Sequence, residues 1–227
     1  MTRLPLTLAA VLCLGAAPMA AQVATVDEGS FTITRNGQKV GREEFRIRRT
    51  PAAAGAEFVA SATVAYGDRR LSPDLRTDAA GAPLAYRVEV RVGDATEERL
   101  TGQVGRGRFT AMLKTSRGES TREYVMPDGA LVLDDDIYHQ YYFVGVGGRS
   151  GATPVVVPRR SAQVNMRVES KGSETVSVAG RSVAGTHFVV SDPGAGARDV
   201  WLDGSGRVLR VAIPSRGLVA ERDELPR

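Results

Sequence analysis

The chain has 227 residues, a formal net charge of +4 at neutral pH and one cysteine, Cys13. Of its 30 basic residues, 27 are arginines, which are scattered among Asp and Glu rather than gathered in one block. Nucleic-acid binding needs a concentrated basic face, so this composition argues against that class of function.

Residues 1–21 have the pattern of a secretory signal peptide. Arg3 provides the positive start, residues 4–15 are apolar, and a small-residue segment ends at Ala21, where we expect cleavage. The apolar run is too short to span a bilayer, and no later stretch is apolar for long enough. We therefore expect an exported mature chain without a transmembrane segment, residues 22–227, located in the periplasm or secreted. That chain has no cysteine and so no disulfide.

The chain then alternates between apolar and polar residues. Phe31 and Ile33 alternate with threonines, and Asn36-Gly37 predicts a tight type I′ hairpin. The cleanest strand is 84–92, where apolar residues share one face and charged residues the other, as in antiparallel sheets. Pro73 makes a central strand around it doubtful, because proline cannot donate to the ladder.

About fourteen strand candidates follow one another at a spacing of roughly ten residues. Strands 162–169 and 174–179 are predicted as separate elements. The spacing predicts an all-β fold, an antiparallel meander that forms a half-barrel, barrel or sandwich. No linker divides residues 22–227, so we expect a single β-rich domain with one short helical or irregular insertion near 134–148.

The insertion, Asp134–Gly148, interrupts the strand pattern with three aspartates and a group of aromatic residues around His139. The aromatic residues have two interpretations: a hydrophobic plug that closes one end of the β structure, or the rim of a ligand cavity. The glycines at its end suit either a hinged flap or a plain loop.

The acidic run could in principle hold a divalent metal together with His139. Consecutive acidic residues point in alternating directions and seldom converge on one ion, so we predict no metal site. As the simpler alternative, Asp136 caps a helical turn over 137–143.

Nothing in the sequence predicts catalysis or a cofactor. The motifs of serine hydrolases, zinc proteases and phosphate-binding loops are absent. Glu43 and Glu44 are adjacent and face opposite ways on a strand, so they are a poor acid/base pair. His187, within a strand, is expected to be a structural residue. We therefore predict that the protein is not an enzyme.

A hairpin late in the chain carries the pattern W-x-D-x-x-G-R-V-L-R, formed by Trp201, Asp203, Gly206, Arg207, Val208, Leu209 and Arg210. With the export signal and the cysteine-free run of strands, the chain resembles uncharacterised exported β-meander proteins of bacteria. Their general shape is similar to the open half-barrels of envelope lipoprotein carriers and lipid-binding proteins. This resemblance implies no catalytic residue.

The predicted function is therefore the binding of a hydrophobic or lipid-like ligand on the concave face of the sheet, beneath the insertion. Small inward residues, Ala60, Ala62 and Ala111, would leave room for it. The alternative is a structural or interaction module that pairs with another cell-envelope protein through a sheet edge. The predicted ligand-binding residues lie on two strands and on the insertion: Phe58, Val64, Tyr86, Val88, Tyr138, Tyr141, Tyr142 and Phe143.

Overall fold

A computed structural model describes residues 22–53 and 55–226. The predicted signal peptide, residues 1–21, lies outside the described residues. The strands are β1 (Ala24–Arg35), β2 (Gln38–Ala52), β3 (Gly55–Tyr66), β4 (Arg69–Asp78), β5 (Pro83–Val92), β6 (Ala95–Gly105), β7 (Arg108–Thr115), β8 (Gly118–Val125), β9 (Leu131–Val132), β10 (Gly151–Val157), β11 (Ala162–Val178), β12 (Arg181–Asp192), β13 (Gly196–Leu202), β14 (Val208–Ile213) and β15 (Leu218–Arg222). Within the described residues, helical structure is limited to the 3₁₀ turns His139–Tyr141 and Pro214–Arg216 and the single-turn helix α1 (Tyr142–Gly145).

All the strands belong to one open sheet, in the order β8-β7-β6-β5-β4-β3-β2-β1-β15-β14-β13-β12-β11-β10-β9. Most sequence neighbours pair antiparallel, whereas β8 and β9 lie at opposite edges; among the described strands, only the short contact between β9 and β10 is parallel. The first and last strands, β1 and β15, pair in the middle and join two halves of the sheet. The predicted all-β antiparallel meander with one short insertion is confirmed.

The alternation of the sequence decides which face of each strand is buried. On β2, Phe45 and Ile47 are buried while Glu44 and Arg46 are exposed. The first hairpin forms at Asn36-Gly37, where both residues have the positive φ that a type I′ turn requires, 49° and 81°. Local patterns therefore set both the register and the inner face of this part of the sheet.

Pro73 lies inside the sheet, contrary to the doubt raised by its sequence position. It is buried on β4 and stands opposite Val88 of β5. On its other side the ladder with β3 is interrupted between the pairs Ser61–Asp74 and Val64–Leu71. The interruption explains how an interior strand tolerates a residue without an N–H group.

The two strands predicted at 162–169 and 174–179 are one strand, β11, so that prediction was wrong. A register shift between Ser170 and Gly172 keeps β11 paired with β12 on both sides of the irregularity. Gly172 has a φ of +91°, which glycine adopts without strain. Gly172 therefore marks a bulge within a continuous strand.

The main core lies between the inner face of the sheet and the insertion. It contains buried residues of both halves of the sheet together with most of the side chains from Ile137 to Val144. A fully buried aliphatic or aromatic side chain contributes about 1.5–3 kcal/mol, so the insertion is a substantial part of the folded state. Among the described residues, no helix is long and apolar enough to cross a membrane.

Candidate functional site

All eight predicted ligand-binding residues belong to the main hydrophobic core, four on strands and four in the insertion. Phe58, on β3, is the most exposed of them at 8 %. Its ring centroid lies 5.8 Å from that of Tyr142 and 6.2 Å from that of Phe143, and these two insertion rings lie 5.4 Å apart. The aromatic side chains of the insertion thus pack directly on the inner face of the sheet. Whether they contact a ligand stays a prediction.

The other members of the set are equally buried. They are Val64 on β3, Tyr86 and Val88 on β5, and Tyr138 and Tyr141 at the start of the insertion. The hydroxyl groups of Tyr66 and Tyr138 lie 2.9 Å apart. Burial raises the pKa of both phenols, so both stay protonated at neutral pH. This contact fixes the start of the insertion to the end of β3.

Glu43 on β2 is the principal anchor of the insertion, and the sequence analysis did not identify it. Its side chain is fully buried and accepts hydrogen bonds from the backbone N–H groups of Tyr138, at 2.7 Å, and His139, at 2.8 Å. The Nδ1 atom of His139 lies 2.6 Å from the same carboxylate. The available signal was strand parity, because Glu43 shares the face of Phe45 and Ile47.

His139 is held between Glu43 and the ring of Phe45. The imidazole and phenyl centroids lie 5.8 Å apart with an interplanar angle of 9°. A carboxylate that orients a histidine through Nδ1 is an arrangement that general bases use. Here the opposite atom, Nε2, is buried without a hydrogen-bond partner among the described residues. The contacts of the pair therefore hold the insertion against β2.

Asp134 forms a second buried anchor. Its Oδ2 accepts hydrogen bonds from the hydroxyl of Tyr86, at 2.7 Å, and from the Nε of Arg159, at 2.8 Å. Gln140 accepts a hydrogen bond at 2.7 Å from the backbone N–H of Asp134. Burial raises the pKa of Asp134, although the neighbouring Arg159 opposes that rise. Burial also raises the pKa of the Tyr86 phenol, so Tyr86 remains a donor.

The other two aspartates form ion pairs with arginines in different parts of the chain. Asp135 lies 3.4 Å from the guanidinium of Arg198 on β13. Asp136 lies 2.8 Å from that of Arg216, which follows β14. The three carboxylates therefore diverge, and in residues 22–53 and 55–226 no three His, Cys, Asp or Glu side chains gather in the manner of a metal site.

The prediction that Asp136 caps a helical turn was wrong. The 3₁₀ turn begins at His139 after Tyr138, and no side chain caps it. Asp136 has a φ of +64°, which sends the chain in a new direction, and its carboxylate pairs with Arg216 instead. The ion pair with Arg216, which is 40 % exposed, takes the place of the cap.

His187 has partners for both ring nitrogens, in keeping with the structural role expected for it. Nδ1 lies 2.9 Å from Glu174 and Nε2 lies 2.9 Å from Asp199. The ring stacks on Trp201 at a centroid distance of 4.6 Å. Trp201, in the hairpin identified from the sequence, therefore packs against His187 of the adjacent strand β12.

A family model described as a domain of unknown function, DUF6134, matches residues 95–221, more than half of the chain. The match includes the insertion and Arg159 but not Glu43. No curated protein matches the sequence.

Two solved structures resemble the fold. One is a β-barrel-like protein of the DUF1849 domain of unknown function from Brucella abortus, at 10 % identity and a TM-score of 0.52. The similarity covers 89 % of this chain and 96 % of that one. The other is a DUF1089 family protein from Pseudomonas aeruginosa, at 15 % identity and a TM-score of 0.36, with 89 % and 95 % covered. At these identities the first likeness shows a shared β-barrel-like fold.

Proposed function

The chain belongs to the DUF6134 family, a domain of unknown function, and we propose that it is a non-enzymatic protein of the cell envelope that binds a hydrophobic or lipid-like ligand. One observation carries the proposal: a separate segment, the insertion, packs its aromatic side chains on the apolar inner face of the sheet. Ligand binding requires this segment to move away from the face that it covers.

The anchors of the insertion are strong but incomplete. The Nε2 atoms of His139 and Gln140 are buried and lack hydrogen-bond partners among the described residues. A buried polar atom without a partner costs about 1–3 kcal/mol. Opening the insertion exposes both atoms to water, or to a ligand that can bond them, and recovers part of the free energy of the broken contacts.

The end of the insertion has the backbone freedom that such an opening requires. Gly147 and Gly148 have φ values of +78° and +60°. Glycine enters this region without the strain that other residues incur. Two successive glycines there allow the preceding aromatic segment to change direction while β10 keeps its place in the sheet.

The face beneath the insertion suits an apolar chain. Ala60 and Ala111 are small and buried on the inner face, and Ala62 packs beside the same core. The space vacated by Tyr142 and Phe143 would be bordered by Phe58, whose ring both side chains approach, and Ala60 lies on the same face of β3. Such a surface favours acyl chains over polar metabolites.

Export and the absence of catalysis are parts of the same proposal. Residues 1–21 carry the sequence pattern of a secretory signal, and we place the mature protein in the periplasm or outside the cell. The Glu43–His139 pair is the arrangement nearest to a catalytic one, and its free Nε2 is buried. We assign this pair to holding the insertion.

The proposal predicts that the mature protein, purified from an exporting host, carries a non-covalent adduct. Its native mass spectrum should show a mass that is lost under denaturing conditions and is recovered by extraction into organic solvent. After extraction, the protein should take up a fluorescent fatty acid. If both spectra show only the mass of the protein itself, and the extracted protein takes up no fatty acid, the carrier function is overturned.

A different observation favours interaction with an envelope protein as a second candidate. β8 forms one edge of the sheet, and six of its eight residues in succession are exposed. Two large apolar side chains nearby are also exposed, Met112 on β7 at 48 % and Val125 at 55 %. A partner strand can add to such an edge. Crosslinking from Thr121 in the cell envelope tests this alternative. A specific protein adduct at Thr121 would support it, and the absence of any adduct would rule it out.

A further inference from the structure

A guanidinium lies where the end of the insertion meets the turn between β4 and β5. The Nη1 of Arg149 donates to the carbonyl of Val146 at 3.2 Å, and its Nη2 donates to the carbonyl of Ala80 at 3.1 Å. The first bond stays within the segment that follows the aromatic residues, whereas the second crosses to the turn. Arg149 therefore ties the end of the insertion to the sheet.

Arg149 is partly buried, yet within the described part of the chain it forms no ion pair and lies over no aromatic ring. Other partly buried arginines have one of these partners. Arg159 pairs with Asp134 at 2.8 Å, and Arg210 lies 5.4 Å from the centroid of Trp201. The charge of Arg149 is therefore compensated less closely than theirs.

Asp78 is the acidic residue whose charge acts on Arg149. Burial lowers the pKa of Arg149, and Asp78 opposes this only in part. The Oδ1 of Asp78 accepts hydrogen bonds from the N–H groups of Ala80 and Ala82, both at 2.9 Å, so this oxygen is engaged in the turn. The guanidinium remains charged at neutral pH. A partly desolvated cation without a close anion favours an anion from outside the chain.

The donors of Arg149 are only partly used. Its two hydrogen bonds both go to neutral carbonyl groups, and its Nε is buried without a hydrogen-bond partner among the described residues. A guanidinium presents its N–H groups in a planar fork that matches the two oxygens of a carboxylate. A hydrogen bond to a carboxylate is stronger than one to a neutral carbonyl, so a carboxylate can displace the carbonyl of Val146.

The guanidinium also lies beside an aromatic side chain that an apolar ligand would replace. A Cβ atom on Gly81 would lie 3.3 Å from the Cδ1 of Phe143 and 3.6 Å from the Nη2 of Arg149. Phe143 is 1 % exposed, and its ring packs against Phe58 at a centroid distance of 6.2 Å. The apolar core and a charged donor therefore meet at this end of the insertion.

The position of Arg149 in the chain separates it from the part of the insertion that has to move. It follows Gly147 and Gly148, and β10 begins two residues later, at Gly151. An insertion that turns about the two glycines carries Val146 away and leaves Arg149 next to β10. This movement breaks the bond to the carbonyl of Val146 and frees Nη1 of the guanidinium.

We propose that Arg149 binds the carboxylate of a fatty acid whose acyl chain takes the place of Phe143 on the inner face of the sheet. This inference rests on the proposed carrier function and names the class of its ligand. The carboxylate replaces the carbonyl of Val146 at Nη1, and its second oxygen accepts from a neighbouring N–H of the same guanidinium. Its single negative charge matches one guanidinium whose field Asp78 already reduces.

The probes are cis-parinaric acid, a fluorescent fatty acid, and its methyl ester, which has the same acyl chain without the charge. Fluorescence titration of the extracted mature protein should show that the acid binds about tenfold more tightly than the ester. Arg149→Met should weaken binding of the acid about tenfold and leave that of the ester within about threefold of the wild type. If this change also loosens the insertion, both affinities shift together, so their ratio reports the head group. The matched control is Arg48→Met, which removes an exposed arginine on β2 and should leave the ratio unchanged.

The possible outcomes separate this inference from the carrier function. Equal affinities of the wild type for the acid and the ester, or a preference for the acid that survives Arg149→Met, would overturn the role of Arg149 and leave the carrier function standing. If neither probe binds, both fail. Lysophosphatidic acid is a third probe, and binding about tenfold tighter than that of the fatty acid would assign a phosphate to the site and overturn the carboxylate.

Discussion

Replacing Glu43 with glutamine should lower the free energy of unfolding by about 3 kcal/mol. The carboxylate accepts three hydrogen bonds inside the protein, two from backbone N–H groups and one from His139. The amide nitrogen of glutamine would face donors in place of acceptors, and it would leave at least one of them unbonded. Urea unfolding followed by fluorescence measures the difference.

Glu44 is the matched control for this variant. It precedes Phe45 on the same strand, its side chain is 68 % exposed, and it pairs with Arg42 at 3.1 Å. Glu44→Gln should change the free energy of unfolding by no more than about 0.5 kcal/mol. Equal unfolding midpoints for the two variants would show that Glu43 does not hold the insertion.

The second large effect is expected for Arg159→Met. This change removes the cation beside Asp134, whose side chain is fully buried, and leaves the carboxylate with neutral donors only. Breaking one side of a buried ion pair costs about 3–5 kcal/mol. Arg99→Met is the control, because Arg99 pairs with Glu89 in an exposed contact and its loss should cost less than about 1 kcal/mol.

The loss of stability in Arg159→Met should depend on pH in a defined direction. Burial already raises the pKa of Asp134 above its value in the unfolded chain, and removing Arg159 raises it further. The folded variant therefore binds a proton more readily than the unfolded chain does. The difference in free energy of unfolding between the wild type and the variant should therefore be largest at neutral pH. It should shrink as the pH falls toward about 4, the usual pKa range of an aspartate. A deficit that grows on acidification would contradict this assignment of the charge.

The sheet could be predicted because its signals are local. Alternation places Phe45 and Ile47 on one face of β2, and Asn36-Gly37 fixes the first turn. Pro73 and the separate strands predicted at 162–169 and 174–179 were misleading for one reason: a residue or segment that departs from an ideal strand can also be an interrupted ladder or a bulge within a longer strand. Only the neighbouring strands decide between these outcomes.

The anchors of the insertion could not be predicted, because their partners are distant in sequence. Glu43 and His139 are 96 positions apart, and nothing in the local pattern of either residue names the other. Strand parity placed Glu43 on the inner face, where a carboxylate must find donors. It could not show that the donors are backbone N–H groups of the insertion. The helix cap expected at Asp136 failed likewise, since Arg216 lies far along the chain.

A disulfide that locks the insertion tests the central claim most directly. A Cβ atom on Gly81 would lie 3.4 Å from the Cγ1 of Val146, so positions 81 and 146 are close enough to attempt a disulfide, whose Cβ atoms lie about 3.5–4.5 Å apart. The mature chain has no other cysteine if cleavage follows Ala21. Gly81 has a φ of +80°, so Gly81→Cys alone is the control for strain.

Uptake of the fluorescent fatty acid by Gly81→Cys/Val146→Cys should be measured before and after reduction. If the insertion must open to admit a ligand, the oxidised variant should take up at least tenfold less than the wild type. Reduction should then restore uptake to the level of the Gly81→Cys control. Uptake that is equal in the oxidised and reduced states would show that any apolar ligand binds elsewhere and that the insertion is a permanent part of the core.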